Sequence, residues 1–329
     1  MEKKQDNLME ISDLTVRYNT DDAVVHAVNN FNLKLVRGEA RGLVGETGAG
    51  KTTLALSILR LLPERVGEVT GGSIVYDGQE LLNLPEAEML PLRGKRISMI
   101  FQDPMTSLNP TQTVGDQILE VLNLHFPEMT REEKNKRVDE MMTLVGIPPQ
   151  RKKSFPHEFS GGMKQRVVIA MALVAEPELL LADEPTTALD VTIRAQILEL
   201  MKQLREKFNT SVMLITHDLG VVAQFCDSVS VVYAGRVVEY GPVEIVFQRK
   251  ENHPYTAGLF NCIPNLHDDQ PRLHPIAGHM ADPRVEYKGC CFADRCEYAT
   301  ERCRTEAPSM HVCGEHGILC HRYVEKEEF

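Results

Sequence analysis

Tryptophan is missing altogether from this 329-residue chain, and aromatic residues reach only 6%. Proteins that hold single-stranded nucleic acid stack bases on aromatic rings, so such platforms are scarce here. Positive charge is also short: 36 Lys and Arg face 47 Asp and Glu, a formal net charge of -11. Binding a phosphate backbone, or anionic lipid directly, calls for the opposite sign. Nucleic acid is therefore not the expected partner, and attachment at a membrane would run through another protein. Long hydrophobic runs are lacking as well. No stretch approaches the roughly 18 apolar residues of a spanning helix. The opening MEKKQDNLMEI has no apolar run to act as a signal peptide, so a cytosolic protein is expected.

What is present suits an ordinary globular chain, with 43% hydrophobic and 25% charged residues. The length allows one large α/β domain plus a small appendage, or two modest domains. Alternating apolar positions from residue 9 to about 39 predict antiparallel strands. A strand over 40–44 then enters a glycine-rich turn and a helix over about 51–62. Residues 71–76 followed by Asp77-Gly78 read as a strand entering a turn. From about 103 to 175 the pattern is mostly helical. Apolar runs at 179–182, 212–216 and 229–234 predict buried strands, with an amphipathic helix over 191–208 between the first two. Strands alternating with helices imply a parallel sheet with crossovers. After Gly241-Pro242 the regular pattern fades. The domain expectation is thus 1–245, with a helical subdomain at about 103–175, and an extension over 246–329.

Gly45-Glu46-Thr47-Gly48-Ala49-Gly50-Lys51-Thr52 lies between a predicted strand and a predicted helix, the setting a phosphate-binding loop requires. Amides near Gly48 to Thr53 would point at phosphate oxygens at a helix N-terminus. Lys51 would neutralise the β- and γ-phosphates of a nucleoside triphosphate, and the Thr52 hydroxyl would ligate Mg²⁺; alone, the loop says only that the chain is an NTPase. Further on, Leu179-Leu180-Leu181-Ala182-Asp183-Glu184 is a buried strand ending in two carboxylates. Asp183 is placed to hold Mg²⁺, and Glu184 to act as general base on the attacking water.

Five more elements resemble parts of the ATPases of ABC transporters. Phe159-Ser160-Gly161-Gly162-Met163-Lys164-Gln165-Arg166 resembles the signature motif, which binds the γ-phosphate of a nucleotide held by the opposite subunit. Gln102 resembles the glutamine that touches Mg²⁺ and follows the membrane partner. His217 resembles the switch histidine, Asp190 the aspartate that crosses the dimer interface, and Tyr18 the aromatic that stacks on adenine. The resemblance implies a P-loop α/β fold: a parallel-sheet core, an antiparallel β subdomain and a helical subdomain. One set of motifs in one chain implies a second ATPase subunit to complete each site.

The segments ISMIFQDPMTSLNP (97–110), HEFSGGMKQR (157–166), ADEPTTALDVT (182–192) and HPYT (253–256) are similar to the peptide/nickel importer family. Within it, the tail looks like the D-type ATPase of dipeptide and oligopeptide permeases. That resemblance implies two transmembrane permease subunits, an extracytoplasmic substrate-binding protein, an F-type ATPase partner and a place at the cytoplasmic face of the cell membrane. Peptide is the cargo it implies first, with nickel or a metal chelate as the alternative. A non-transport ABC ATPase is the further alternative. Those built on coiled coils or zinc modules interrupt the region between P-loop and signature, and translation-type ones carry two motif sets; neither feature is present here.

The tail itself is a small Cys-rich region. Of eight cysteines, Cys290, Cys291, Cys296, Cys303, Cys313 and Cys320 fall in the last forty or so residues. Such crowding in a cytosolic chain suggests a metal centre before disulfides. In the family, cysteines matching Cys290, Cys296, Cys303 and Cys320 hold a [4Fe–4S] cluster in some members. Cys291 stands where the family has Pro, and Cys313 is additional, so either could replace a ligand. Zn²⁺ is the rival, with His311, His316 and His321 nearby.

Overall fold

Two compact units make up the chain, and the computed structural model describes residues 6–187, 189–248, 251–263 and 275–323. Ala188 of the 182–192 motif lies outside the described residues. So do 249–250, 264–274 and 324–329 of the expected C-terminal extension.

One unit comprises Met1–Asp6, Val36–Ala40 and Asn83–Ile215. Its strand Leu179–Asp183 pairs in parallel with Ile97–Ile100 on one side and Ser211–Thr216 on the other. Every residue of Leu179–Asp183 and Ser211–Thr216 is buried, which explains their near-continuous apolar sequences: a parallel strand is covered on both faces. Residues 103–175 carry helices and turns and no strand among the described residues. Short polar residues start these helices by accepting the first free amides. Thr113 begins Val114–His125, Thr130 with Glu133 forms a capping box on Arg131–Leu144, and Asp190 begins Val191–Phe208. Ile118, Leu122, Val138, Met141 and Met142 lie fully buried in the helical part, each contributing about 1.5–3 kcal/mol by leaving water. Glu178 ties the return segment to the sheet. It accepts from Arg37 at 2.7 Å and Arg96 at 2.8 Å.

The other unit comprises Asn7–Leu35, Arg41–Leu82 and Thr216–Phe329. A four-stranded sheet runs in the order Val24–Val36, Asn7–Asn19, Gly67–Tyr76, Gln79–Glu80. Asn7–Asn19 and Gly67–Tyr76 are antiparallel, as the alternating pattern predicts. The strand Ala40–Val44 lies parallel to Ser228–Tyr233, which turns back into the antiparallel Arg236–Pro242. Beyond Pro242 the structure is more regular than the sequence pattern suggests. Helices Val243–Gln248 and Pro254–Asn261 follow, and the hairpin Met310–Cys313/His316–Leu319 adds to Arg236–Pro242 through Glu239↔Ile318 and Tyr240↔Gly317. Strands of four residues carry too few positions for a period-2 pattern to stand out.

A buried carboxylate pins this tail. Glu239 is fully buried, accepts from Asn252 Nδ2 and from the His253 amide at 2.9 Å each, and pairs with His316 Nε2 at 2.8 Å. A carboxylate out of water has to be paired in this way. The Tyr323 hydroxyl closes the arrangement on the Asn252 carbonyl at 2.9 Å.

Candidate functional site

The strand Ala40–Val44 hands over to the helix Lys51–Ile58 through the glycine-rich loop. Gly50, the residue before the helix, has φ +94°, and a Cβ there would meet the Ala27 carbonyl oxygen at 2.2 Å. Only glycine fits, so the loop backbone stays close and open to a ligand. Lys51 is 7% exposed, and its Nζ donates to the carbonyls of Gly45 at 2.7 Å and Glu46 at 3.0 Å. Gly48 and Ala49 complete the turn, and Thr52 faces outward. Thr53 is buried and accepts the Tyr18 hydroxyl at 3.2 Å, which places the expected adenine-stacking residue beside the start of the helix. A phosphate chain fits such a cradle: its charge is opposite to that of Lys51 and of the helix N-terminus.

Glu46 carries contacts that the motif alone does not suggest. Its amide donates to the Tyr255 hydroxyl at 2.9 Å. Its carboxylate takes a forked grip from Arg295, at 2.7 Å and 3.1 Å. Tyr255 is set by His253, whose Nδ1 accepts the Tyr255 amide at 3.1 Å at the start of Pro254–Asn261. That role needs a neutral imidazole, and burial holds His253 down at about 4, against the pull of Glu239. HPYT reads in the sequence only as a family marker. Nothing in spacing alone could have brought Arg295 to Glu46, 249 residues away.

In the unit holding Leu179–Asp183, Asp183 is buried at the strand end. Glu184 follows in the left-handed region, φ +47°, with its amide donating to the Ile215 carbonyl at 2.9 Å. A bulky acidic residue rarely adopts that backbone, and such strain gathers at functional positions. Its Oε2 accepts the Thr187 hydroxyl at 2.8 Å and stands 3.5 Å from Gln102 Nε2. The structure thus brings together two of the residues singled out from sequence, Gln102 and Glu184. It adds Thr187, which the sequence reading passed over.

Ser160 begins the helix Gly161–Leu173, its hydroxyl accepting the Met163 amide at 3.4 Å. A Cβ on Gly162 would meet Ile193 Cγ2 at 2.6 Å, so the signature turn packs close against the helix that Asp190 begins. Asp190 accepts the Ile193 amide at 2.9 Å. Gln165 is 1% exposed, and among the described residues neither its side-chain oxygen nor its side-chain nitrogen has a hydrogen-bond partner. In the other unit His217 is exposed just after the strand Ser211–Thr216, and Asp218 caps the helix Leu219–Phe225 behind it.

Cys290, Cys296, Cys303 and Cys320 line one small cavity of about 20 Å³, together with His253, Phe292 and Arg322 among others. Cys291 points elsewhere, its Sγ 4.0 Å from the Tyr233 carbonyl, and Cys313 ends a hairpin strand. Burial, then the Cys291 sulfur, pushes the Cys290 thiol up to about 12. Burial and then neighbouring sulfurs likewise raise Cys296 and Cys320. In number and kind these four thiols fit a tetra-thiolate centre. Their placement is looser than coordination demands: among the described residues, no three or more His, Cys, Asp or Glu side chains form a group that could hold a metal ion. Likewise, among the described residues, no helix is long and apolar enough to cross a membrane.

Comparisons with known proteins agree with the site. Residues 28–187 match the family described as ABC transporter, and 238–303 the family described as oligopeptide/dipeptide transporter, C-terminal region. The chain is 47% identical over 326 residues to the oligopeptide transport ATP-binding protein OppD of Haemophilus influenzae, covering 98% of each. It is 48% identical over 327 residues to OppD of Escherichia coli, covering 99% of this chain and 96% of that one. Among solved structures, the dimeric ATP-binding cassette MJ0796 bound to ADP and phosphate superposes with a TM-score of 0.64 at 28% identity. That match covers 71% of this chain and 98% of the cassette. A P-loop, an acidic strand end and a signature helix in one α/β chain, matched over nearly its full length, identify the family: this chain is an ATPase of the ABC transporter family, belonging with the oligopeptide transport ATP-binding proteins.

Proposed function

We propose that this chain drives uptake of oligopeptides as one of two ATPase subunits beneath a pair of membrane permeases fed by an extracytoplasmic binding protein. The observation that carries this reading is the pairing of one complete set of ATPase motifs with a tail of the oligopeptide/dipeptide transporter type. With a single Lys51 cradle and a single Ser160 turn per chain, the signature that completes each site comes from a second subunit. A related F-type ATPase is the partner we assign, and the cytoplasmic face of the cell membrane the location.

In this reading Lys51 neutralises the phosphates of ATP while the amides from Gly45 to Thr53 wrap them. Thr52, Asp183 and Gln102 would hold Mg²⁺, whose charge would offset the negative charge developing on the departing ADP. Glu184 takes a proton from the attacking water, and His217 bears on the γ-phosphate. Ser160, Gly161, Gly162 and Gln165 serve the partner's nucleotide, with Asp190 at the interface and Tyr18 against the adenine. Hydrolysis then opens what ATP closed.

The test is uptake by cells deleted for this chain and complemented with it. Complementation should restore uptake of a labelled oligopeptide and leave labelled Ni²⁺ uptake unchanged. Restoration of nickel uptake alone would replace the peptide reading with its alternative.

We also assign residues 246–329 as a Cys-rich C-terminal extension, with Cys290, Cys296, Cys303 and Cys320 as ligands of a [4Fe–4S] cluster. The support is the small cavity that those four side chains line; as placed they form no metal-holding group, so a cluster would have to draw them closer together. Such a centre would cross-link the tail through four sulfurs and give it a one-electron redox couple. Zn²⁺ on the same thiols is the alternative, and the metal content of anaerobically purified protein separates the two.

A further inference from the structure

Every side-chain nitrogen of Arg295, in the tail, has a hydrogen-bond partner. It is 5% exposed, and its guanidinium spreads over several partners. Nη1 and Nη2 grip the two oxygens of Glu46, at 2.7 Å and 3.1 Å. Nε donates to the Ala277 carbonyl at 3.0 Å, and Nη2 reaches the Ile276 carbonyl at 3.5 Å. Nη1 stands 3.5 Å from the Tyr233 hydroxyl. The guanidinium also lies 5.7 Å from the Tyr233 ring centroid and 5.9 Å from that of Phe292. Tyr233, Tyr255 and Phe292 pack on one another at 4.6–5.5 Å between centroids. Forked, nearly buried arginine–carboxylate pairs hold geometry far better than exposed single contacts.

Glu46 is thereby fixed from three directions. Arg295 holds its side chain, Tyr255 accepts its amide, and its carbonyl accepts Lys51 Nζ. Two of these grips come from beyond residue 250, and the third is made by the lysine that serves the phosphates. We propose that Arg295 is a positioning residue for nucleotide: by holding Glu46 it fixes the backbone from which Lys51 works, so the cysteine-rich tail sets the affinity of the cradle for ATP. The grip also neutralises a carboxylate that would otherwise repel a polyphosphate from within its own loop. Because Arg295 directly precedes Cys296, a change at the cysteine cavity has a short route to the cradle. The proposal rests on the nucleotide role of the glycine-rich loop.

Titration of the full-length chain with a fluorescent ATP analogue tests it. Arg295→Ala should weaken binding about tenfold, the usual worth of a charge-assisted hydrogen-bond pair. Arg295→Lys, which keeps the charge but loses the fork, should recover part of that loss. Glu46→Gln combined with Arg295→Ala should bind no more weakly than Arg295→Ala alone, since both act through one contact. The turnover rate at saturating ATP should stay within about twofold, putting the effect in KM, because Glu184 is untouched. A purely structural anchor would lower thermal stability and leave ATP affinity unchanged. That outcome, or additive losses in the double variant, would overturn the proposal. Should Arg295→Ala fail to fold, Tyr255→Phe and Glu46→Gln probe the same residue from the cradle side, and unchanged affinity in both counts against it. Lys51→Ala is the control: retained binding there overturns the nucleotide role of the loop itself.

Discussion

Gln102 and Glu184 approach one another inside a single unit, with Nε2 of the first 3.5 Å from Oε2 of the second. The same oxygen accepts the Thr187 hydroxyl at 2.8 Å. Two neutral donors therefore converge on one edge of a carboxylate whose backbone sits at φ +47°. Donors of this kind aim a carboxylate without protonating it, and an ionised, aimed carboxylate is what a general base requires.

Glu184→Gln keeps the shape and the Thr187 contact but removes the basicity. ATP binding should persist while turnover drops by about 10²–10⁴-fold, the usual contribution of a general base. Phosphate release under single-turnover conditions checks this, and near-normal hydrolysis would remove Glu184 from its role. Thr187→Val should give a smaller fall, because it loosens the carboxylate and leaves it charged.

Stability should respond to acid through Glu178. Hydrogen bonding to Arg96, and next to Arg37, holds its carboxyl below the ordinary value of 4.5, against a desolvation that would raise it. A folded-state pKa below the unfolded one means the unfolded chain takes up protons first as pH falls. The stabilisation is therefore full above about pH 4.5 and lost as pH falls through the folded value. Glu178→Gln should cost about 1 kcal/mol or less at pH 7, since the pair is partly exposed. The gap to the parent should narrow in denaturation measured at successively lower pH below about 4.5.

The sequence makes the chemistry of this protein easy to see and its mechanics hard. Lys51, Asp183 and Glu184 announce themselves because phosphate and Mg²⁺ chemistry demands fixed residue types at fixed local spacing. The strand at 179–183 is plain because burial on both faces leaves an unbroken apolar run from Leu179 to Ala182. The grip of Arg295 on Glu46 belongs to another class of information. It is set by tertiary packing across 249 positions, and no local pattern encodes it. The same holds for Glu239, an acidic residue in the apolar strand Arg236–Pro242 that only its partners Asn252, His253 and His316 make tolerable. The hairpin after residue 309 escaped because each of its strands has four residues.

The tail cysteines should divide into two groups under substitution. Cys296→Ser should lower bound iron or zinc to background and erase any visible absorption, because Cys296 lines the shared cavity. Cys313→Ser should leave metal content as in the parent, since Cys313 lies in the strand Met310–Cys313, away from that cavity. Elemental analysis of protein purified without oxygen reads both. Loss of metal in Cys313→Ser with retention in Cys296→Ser would reassign the ligand set.

Two glycines should fail for different reasons when replaced by alanine. At Gly50 the new methyl meets a backbone carbonyl, that of Ala27, at 2.2 Å, and φ is +94°. A backbone oxygen cannot rotate aside, and the dihedral alone costs about 1–3 kcal/mol. At Gly162 the obstacle is a side chain, Ile193 Cγ2 at 2.6 Å. Truncating it makes room, so Gly162→Ala with Ile193→Ala should regain most of the thermal stability that Gly162→Ala loses. Gly50→Ala with Ala27→Gly should regain little, because the carbonyl remains. Melting curves of the two pairs decide it: equal rescue in both would mean that the loop and the signature turn yield alike, and that the rigid cradle inferred around Gly50 is instead pliable.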